Sequence, residues 1–382
     1  MTATAAGDLP PLTYLTVDSI AEGVGLSQVV RYVERLAGRN VDVTLHSFEK
    51  AAPDRAVAER LAAAGVDWHA HRFRPGAAAG VARVIQGAAL VARAELVHAR
   101  SDMAAGSCLL TRRPAWVWDV RSFWREQRME LGMLAEGSVY ERTMKGIERA
   151  AARRSTAVVT LSHAAAEVLG SRFGREVVAK SHVITTCVDL ERFGCSPLPS
   201  ASPVRLLLAG TLNTLYDVPC MMRLVRRLQA RRPSELTVLE PTSSPWDQDF
   251  RDAGLVPRSA APGAMPAEIA AHHVGLSILR ANIGVANCAA TPTKIGEFLA
   301  SGRPVVVNRG LGDLNELLAR FDCGIVVADA TEAGLADAVE GIERLIDDSG
   351  TPDRCRALAE EHFNLDRGVE QLLAAYHQAV GP

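Results

Sequence analysis

CAATPTKIGEFLASGRPVVVN, residues 288–308, joins a helix start, a misplaced charge and a buried strand. Thr291 fits the N-cap and Pro292 the first helical position, and Gly302 with Pro304 stops the chain, which predicts a helix from Pro292 to about Ser301. Lys294 then falls in the first turn, where free backbone N–H groups and the macrodipole already make the field positive. A lysine in that place is explained by an anion sharing the site. Glu297, one turn on, puts a carboxylate near whatever the helix N-terminus holds, where it suits ribose hydroxyls. The competing reading is a surface helix with an ordinary i,i+3 Lys/Glu pair, worth on the order of a few tenths of a kcal/mol.

Outward from this stretch the chain alternates strands and helices. In the first half, Leu12 to Val17, Val41 to His46, Val66 to His71, Glu95 to Arg100, Trp116 to Asp119, Thr156 to Leu161 and Ser181 to Thr185 read as strands, separated by Ala/Arg-rich helical segments. After a Gly/Ser/Pro-rich stretch at 194–203, Val204 to Ala209, Leu236 to Leu239, a short run near 256–258, Val274 to Leu279, Val305 to Val307 and Cys323 to Val327 repeat the pattern. Such alternation predicts an α/β protein with parallel sheets flanked by helices, and ligands beyond the carboxyl ends of the strands. The length, 382 residues, suits two domains of ordinary size.

The residues that close the strands are therefore the ones to inspect. The first strand leads into Gly23 and Gly25 before a helix, which allows either close backbone approach to a phosphate or sugar, or simply a tight turn. One strand closes with Arg100-Ser101 and the next with Asp119-Val-Arg121. The two arginines suit an anionic or hydroxyl-rich group, while Asp119 suits a sugar hydroxyl or an acceptor's proton, or else caps the next helix. His98 reads as a packed strand residue. Trp116, Trp118 and Trp124 read as core packing ahead of a sugar-stacking platform. In the second half, Thr211 and Asn213 follow a strand in the loop GTLNTLYD, and Arg280 closes another.

Composition narrows the classes. Charges nearly cancel, with 42 Lys and Arg against 44 Asp and Glu, so no nucleic-acid footprint is expected. Seven scattered cysteines without C-x-x-C spacing read as reduced thiols. The N-terminus shows no basic leader with a long apolar core, and no apolar run approaches about 18 residues, so a cytoplasmic protein is expected. The Arg-bearing helix around 77–93 is a candidate for weak peripheral contact with an anionic membrane, with a sheet-covering helix as the competing reading. Asp247-Gln-Asp249, the one D-x-D, sits in Ser/Pro-rich sequence and reads as a loop or helix start, so no metal site is expected. The elbow, zinc and Walker motifs of hydrolases, metalloproteases and NTPases do not occur.

The string PTKIGEFLASGRPVVVN, followed by Gly310 to Asp313, resembles the donor-site signature of retaining glycosyltransferase family 4: a P-x-K, a glutamate and a G-x-P ahead of a short strand. Val188-Asp189-Leu-Glu-Arg-Phe193 is similar to the V-D-x-x-x-F that closes the first domain in that family. The resemblance implies a GT-B architecture, two doubly wound Rossmann-like domains facing a cleft, over 1–193 and 204–363, with residues 364–382 forming a helix that crosses back to the first domain. It also implies a nucleotide-diphosphate sugar as co-substrate, no further cofactor, and a hydroxyl acceptor. Glu297 would take the ribose, and Lys294 with the amides and side chains at Thr291 and Thr293 would take the diphosphate. Asp119 and Arg121 would face the reaction from the first domain.

Two departures from the family pattern stand out. GTLNTLYD offers hydroxyls and amides where many members carry Gly-Arg and Lys-Gly, which leaves Lys294, then Arg280, to neutralise the diphosphate. The first of two glutamates that commonly lie eight apart falls on Ala289. A catalytically silent partner of another transferase, or a nucleotide-sugar epimerase of the same fold, are the alternative readings. The sequence carries no sign of acceptor identity or oligomeric state.

Overall fold

The computed structural model describes residues 9–21, 23–111, 115–199 and 202–381, with only the backbone at 281–283. Residues 1–8, part of the N-terminal stretch read for a leader, and residues 200–201 of the expected linker lie outside the described residues. The chain divides into two compact units, one of residues 1–185 with 365–382 and one of residues 186–364. The boundary thus falls at Thr185/Thr186, and the V-D-x-x-x-F segment, expected to close the first domain, lies in the second unit. Backbone pairing explains this: Val188 N–H donates to Phe363 O at 2.7 Å. The 194–203 stretch is tied to the same unit, because the buried Arg303 guanidinium donates to Ser196 O, Ser196 Oγ, Pro197 O and Ala270 O.

The first unit holds a seven-stranded sheet: β1 (Leu12–Thr16), β2 (Val43–Glu49), β3 (Val66–Arg72), β4 (Leu96–Arg100), β5 (Ala115–Val120), β6 (Ala157–Thr160) and β7 (Ser181–Val183). The order is β3-β2-β1-β4-β5-β6-β7 and every pairing is parallel. Strand order reverses between β1 and β4, the switch point at which a doubly wound sheet opens a crevice. Ser162 caps the helix His163–Phe173 by accepting from Ala165 N–H. The C-terminal helix Leu365–Val380 packs on β5 and β6 of this sheet. The helix Ala77–Val91 buries Gly80, Gly87 and Val91 while Val81 and Ile85 stay exposed.

The second unit holds a five-stranded parallel sheet: β8 (Val204–Ala209), β9 (Ser234–Leu239), β10 (Val274–Ser277), β11 (Val305–Asn308) and β12 (Gly324–Val327), in the order β12-β11-β10-β8-β9. The strand expected near 256–258 is a single parallel bridge, Leu239 to Arg258, because only Arg258 reaches the β9 edge. β8 and β11 are runs of Val and Leu buried on both faces, as a helix-covered parallel sheet requires.

The helix from the opening stretch spans Thr293–Ala300 and lies close against β10. Gly275 makes that approach possible: a Cβ there would sit 2.4 Å from the Phe298 ring. Gly302, at φ +77°, turns the chain out of the helix into β11. The α/β expectation is borne out, and the strands differ from their sequence bounds by one to three residues at their ends.

Candidate functional site

In the second unit the switch point lies between β8 and β10, and the chain builds a platform there. After β8 the loop Gly210–Asp217 folds back onto the end of β10. Asp217 N–H donates to Ile278 O, Arg280 N–H donates to Leu215 O, and Tyr216 bridges Leu279. Asp217 then caps the helix Val218–Gln229 through Cys220 N–H. Above this loop lies Lys294. Its side chain is 7 % exposed, its Nζ has no hydrogen-bond partner, and it stands 4.1 Å from the centroid of the Tyr216 ring. A Cβ on Gly210 would come within 3.4 Å of Lys294 Cε, so the missing side chain at 210 leaves room for the lysine. The ring supplies a cation–π contact that partly offsets burial of the charge. A buried ammonium without a hydrogen-bond partner is costly, and it is poised for an anion.

The helix start differs from its sequence reading. The first helical residue is Thr293, Pro292 occupies the cap position, and no side chain caps the end. Thr291 is not the N-cap because its carbonyl accepts from Thr186 Oγ1–H at 2.8 Å, and the residue is buried in a non-helical segment. The first-turn amides of this helix are thus free of side-chain caps. Glu297 is half-buried; burial raises its pKa, against the lowering fields of Arg192 and Lys294. Arg192 belongs to the V-D-x-x-x-F segment and donates to Pro262 O.

The other second-unit candidates lie around the same loop. Thr211 and Asn213 are exposed, and Asn213 Oδ1 accepts from Leu215 N–H. Arg280 lies over the Trp246 ring at 5.7 Å, and Trp246 Nε1–H donates to Asn213 O. Asp247 of the D-x-D starts a short helix, and its Oδ1 accepts from Ser244 N–H and Oγ–H.

In the first unit the strand-closing residues come together differently from the expectation. Neighbours in register point to one face, and so do residues i and i+2 of a strand, so Tyr14, His98, Arg100 and Asp119 share a face. Asp119 is buried and accepts from three sides: His98 Nε2 at 3.1 Å, Arg100 Nη1 at 3.4 Å and Arg121 Nη1 at 3.4 Å. Burial alone would raise its pKa, but Arg121, His98 and Arg100 overcome this and hold the carboxyl well below the usual range. Asp119 is therefore an anchor for two arginines, and the proton-accepting role read from sequence does not suit it.

His98 carries more than packing. Its ring stacks on Tyr14 at 4.1 Å, and its Nδ1 meets the hydroxyl of Tyr376, on the C-terminal helix, at 3.0 Å. Burial keeps this imidazole neutral, so Tyr376 O–H donates to Nδ1 and Nε2–H donates to Asp119.

Arg121 also donates to Gln28 Oε1, which ties it to the helix that follows the glycine loop. Ser101 has φ +86°, uncommon for a residue with a side chain, and its buried Oγ has no partner. Gly25 is dictated by packing, since a Cβ would fall 2.1 Å from Ser19 O, while Gly23 takes φ +54° in open space. Trp116 and Trp118 are core residues, and Trp118 Nε1–H donates to Asp102.

Sequence reasoning missed Tyr216, Tyr376 and Glu240. Glu240 directly follows β9, so the rule of inspecting strand-closing residues, applied to the second sheet as to the first, would have found it. Tyr376 had no such signal, because its partner lies 278 residues away.

Two parallel sheets with this strand order define a two-domain α/β protein of the kind seen in GT-B glycosyltransferases. Solved structures agree. Sucrose-phosphate synthase from Thermosynechococcus elongatus matches with a TM-score of 0.71 and 15 % identity, over 97 % of this chain and 98 % of that one. HepE of Anabaena in complex with UDP-glucose matches at 0.67 and 17 %, over 96 % and 98 %. WaaG, a glycosyltransferase involved in lipopolysaccharide biosynthesis, matches at 0.68 and 14 %, over 95 % and 99 %. Residues 26–192 match the profile of Glycosyltransferase Family 4. No match is found among curated protein sequences. The fold is thus that of GT-B glycosyltransferases, and a stretch of the first half resembles glycosyltransferase family 4. The profile falls on the first half, so it is independent of the 288–308 motif. Among the described residues, no helix is long and apolar enough to cross a membrane.

Proposed function

We propose that the protein transfers a glycosyl group from a nucleotide-diphosphate sugar to a hydroxyl acceptor with retention of configuration and without a metal. The observation that carries this reading is the Lys294 ammonium, buried, without a hydrogen-bond partner, and set in the first turn of a helix at the switch point of the second sheet. A diphosphate there would gain the lysine, the uncapped amides of the Thr293–Ala300 helix and the helix dipole. Glu297 is the acceptor for ribose hydroxyls, with Thr211, Asn213, Thr291, Thr293 and Arg280 around the same loop and helix start. Arg100, Ser101 and Arg121, held by Asp119, are assigned to the acceptor. That HepE, one of the solved neighbours, is seen in complexes with UDP, with UDP and glucose and with UDP-glucose adds support for a nucleotide-sugar donor.

In the reaction so proposed, the anomeric carbon–phosphate oxygen bond breaks as charge collects on the diphosphate beside Lys294. The acceptor oxygen bonds to the same face of the anomeric carbon, and its proton passes to the departing phosphate. Incubation with α-linked UDP- and GDP-sugars, with and without EDTA, tests this by product NMR. An α-linked product formed equally in both supports it, whereas a β-linked product or loss of turnover with EDTA contradicts it.

A further inference from the structure

Next to Lys294 lies a second unpartnered group, of opposite charge. Glu240 directly follows β9, its backbone N–H donates to Arg258 O, and the residue is 6 % exposed. Neither carboxylate oxygen has a hydrogen-bond partner. The β8/β9 register runs Ala209 to Leu239 and Gly210 N–H donates to Leu239 O, so Glu240 stands beside Gly210, over which Lys294 lies. Burial pushes the Glu240 pKa up, the nearby Ser244 hydroxyl lowers it, the carboxylate of Asp247 raises it and Lys294 is near enough to lower it. A buried carboxylate without a well-formed hydrogen bond, beside one hydroxyl and a second carboxylate, costs the fold stability, and nothing in the packing of β9 requires one. Beside a diphosphate it would be repulsive, unless the ligand offers it hydrogen-bond donors.

We propose that Glu240 is a specificity contact for the donor, its two oxygens accepting a pair of adjacent N–H or O–H donors on the nucleotide sugar while Lys294 takes the diphosphate. This rests on the donor-site reading above. Besides the ribose diol assigned to Glu297, two parts of such a ligand carry a matching pair: vicinal hydroxyls of the transferred sugar, and the N1–H and 2-amino edge of guanine. A carboxylate here also selects against anions without donors, such as free pyrophosphate.

The test is calorimetric titration of the full chain and of Glu240→Gln with GDP, IDP, UDP, UDP-glucose, GDP-mannose and pyrophosphate. Gln keeps the shape but replaces one acceptor with a donor. At least one nucleotide ligand should bind the variant 10-fold or more weakly, and pyrophosphate should bind it as well as or better than it binds the wild type. Loss for GDP but not IDP assigns the contact to guanine. Loss for a nucleotide sugar but not its free nucleotide assigns it to sugar hydroxyls. The ligand-free variant should unfold at the same temperature as wild type or higher. Equal affinities throughout, or a ligand-free variant that melts several degrees lower, overturn the inference and leave the donor site standing. No binding of any nucleotide to wild type overturns both.

Discussion

Lys294 Nζ stands 4.1 Å from the centre of the Tyr216 ring and has no hydrogen-bond partner. The two residues come from opposite sides of the switch point, Tyr216 from the loop after β8 and Lys294 from the helix before β11. The ring keeps the ammonium in place without neutralising it. Tyr216→Leu should preserve the fold yet weaken nucleoside diphosphate binding by about 3- to 10-fold, in keeping with a cation–π contact of about 1 kcal/mol. Titration with the tightest-binding nucleotide checks this, and unchanged affinity would mean that Lys294 needs no ring to hold it.

Tyr376, His98 and Asp119 form a buried chain of hydrogen bonds from the C-terminal helix into the first sheet. Tyr376→Phe removes only a hydroxyl and leaves His98 Nδ1 without a donor. Stability should fall by about 1–3 kcal/mol in urea unfolding. Asp119→Asn should be worse, by about 3–5 kcal/mol, since two guanidinium groups lose a buried counter-charge. Were Asp119 a catalytic base instead, its variant would stay stable and lose turnover with a shifted pH profile.

Asp102 is buried beneath Trp118, and burial, followed by the field of Glu148, pushes its pKa from 3.8 to about 8. The folded state thus holds a proton that the unfolded state releases near pH 4. The stability tied to that proton is complete below the unfolded pKa and is lost as pH rises through the folded one, between about 4 and 8. Asp102→Asn, which still accepts from Trp118, should flatten this decline and stabilise the protein at pH 8 by on the order of 1–3 kcal/mol. Chemical denaturation at pH 5, 6.5 and 8 decides it; parallel curves for both proteins would count against a protonated Asp102.

Gly275 admits the Phe298 ring against β10. Gly275→Ala should therefore push the helix that carries Lys294 away from the sheet, with a loss of about 1–3 kcal/mol from overpacking. Nucleotide affinity should fall with it, whereas Gly146→Ala, at a helix position with open space around it, should leave affinity unchanged and raise stability by about 0.5–1 kcal/mol.

The β/α alternation was legible because strands buried on both faces are short runs dominated by Val and Leu, as VRLLLA, broken only by Arg205, and PVVVN show. Lys294 was legible because a cation in a first helical turn contradicts the helix dipole. What sequence does not reveal is saturation. Asp119 and Arg121 lie two apart and read as a pair open to substrate, but the partners that saturate Asp119 include His98 from β4, itself tied to Tyr376. Thr291-Pro292 reads as a helix cap, yet Thr186, brought in by the pairing of Val188 with the 363–364 segment, draws that backbone into a non-helical path. Both corrections depend on contacts across more than 20 residues, which local propensity does not encode.

The claim that Lys294 is an anion site is tested most directly by calorimetric binding of UDP, GDP, ADP and dTDP, without added metal, to wild type and to Lys294→Ala. One nucleotide should bind wild type clearly and the variant at least about 10-fold more weakly, the loss expected for a charge-assisted contact of about 1.5–3 kcal/mol. The ligand-free variant should still fold, since the Lys294 ammonium makes no hydrogen bond. Equal binding by both proteins, or no binding to wild type by any of the four, would contradict the account.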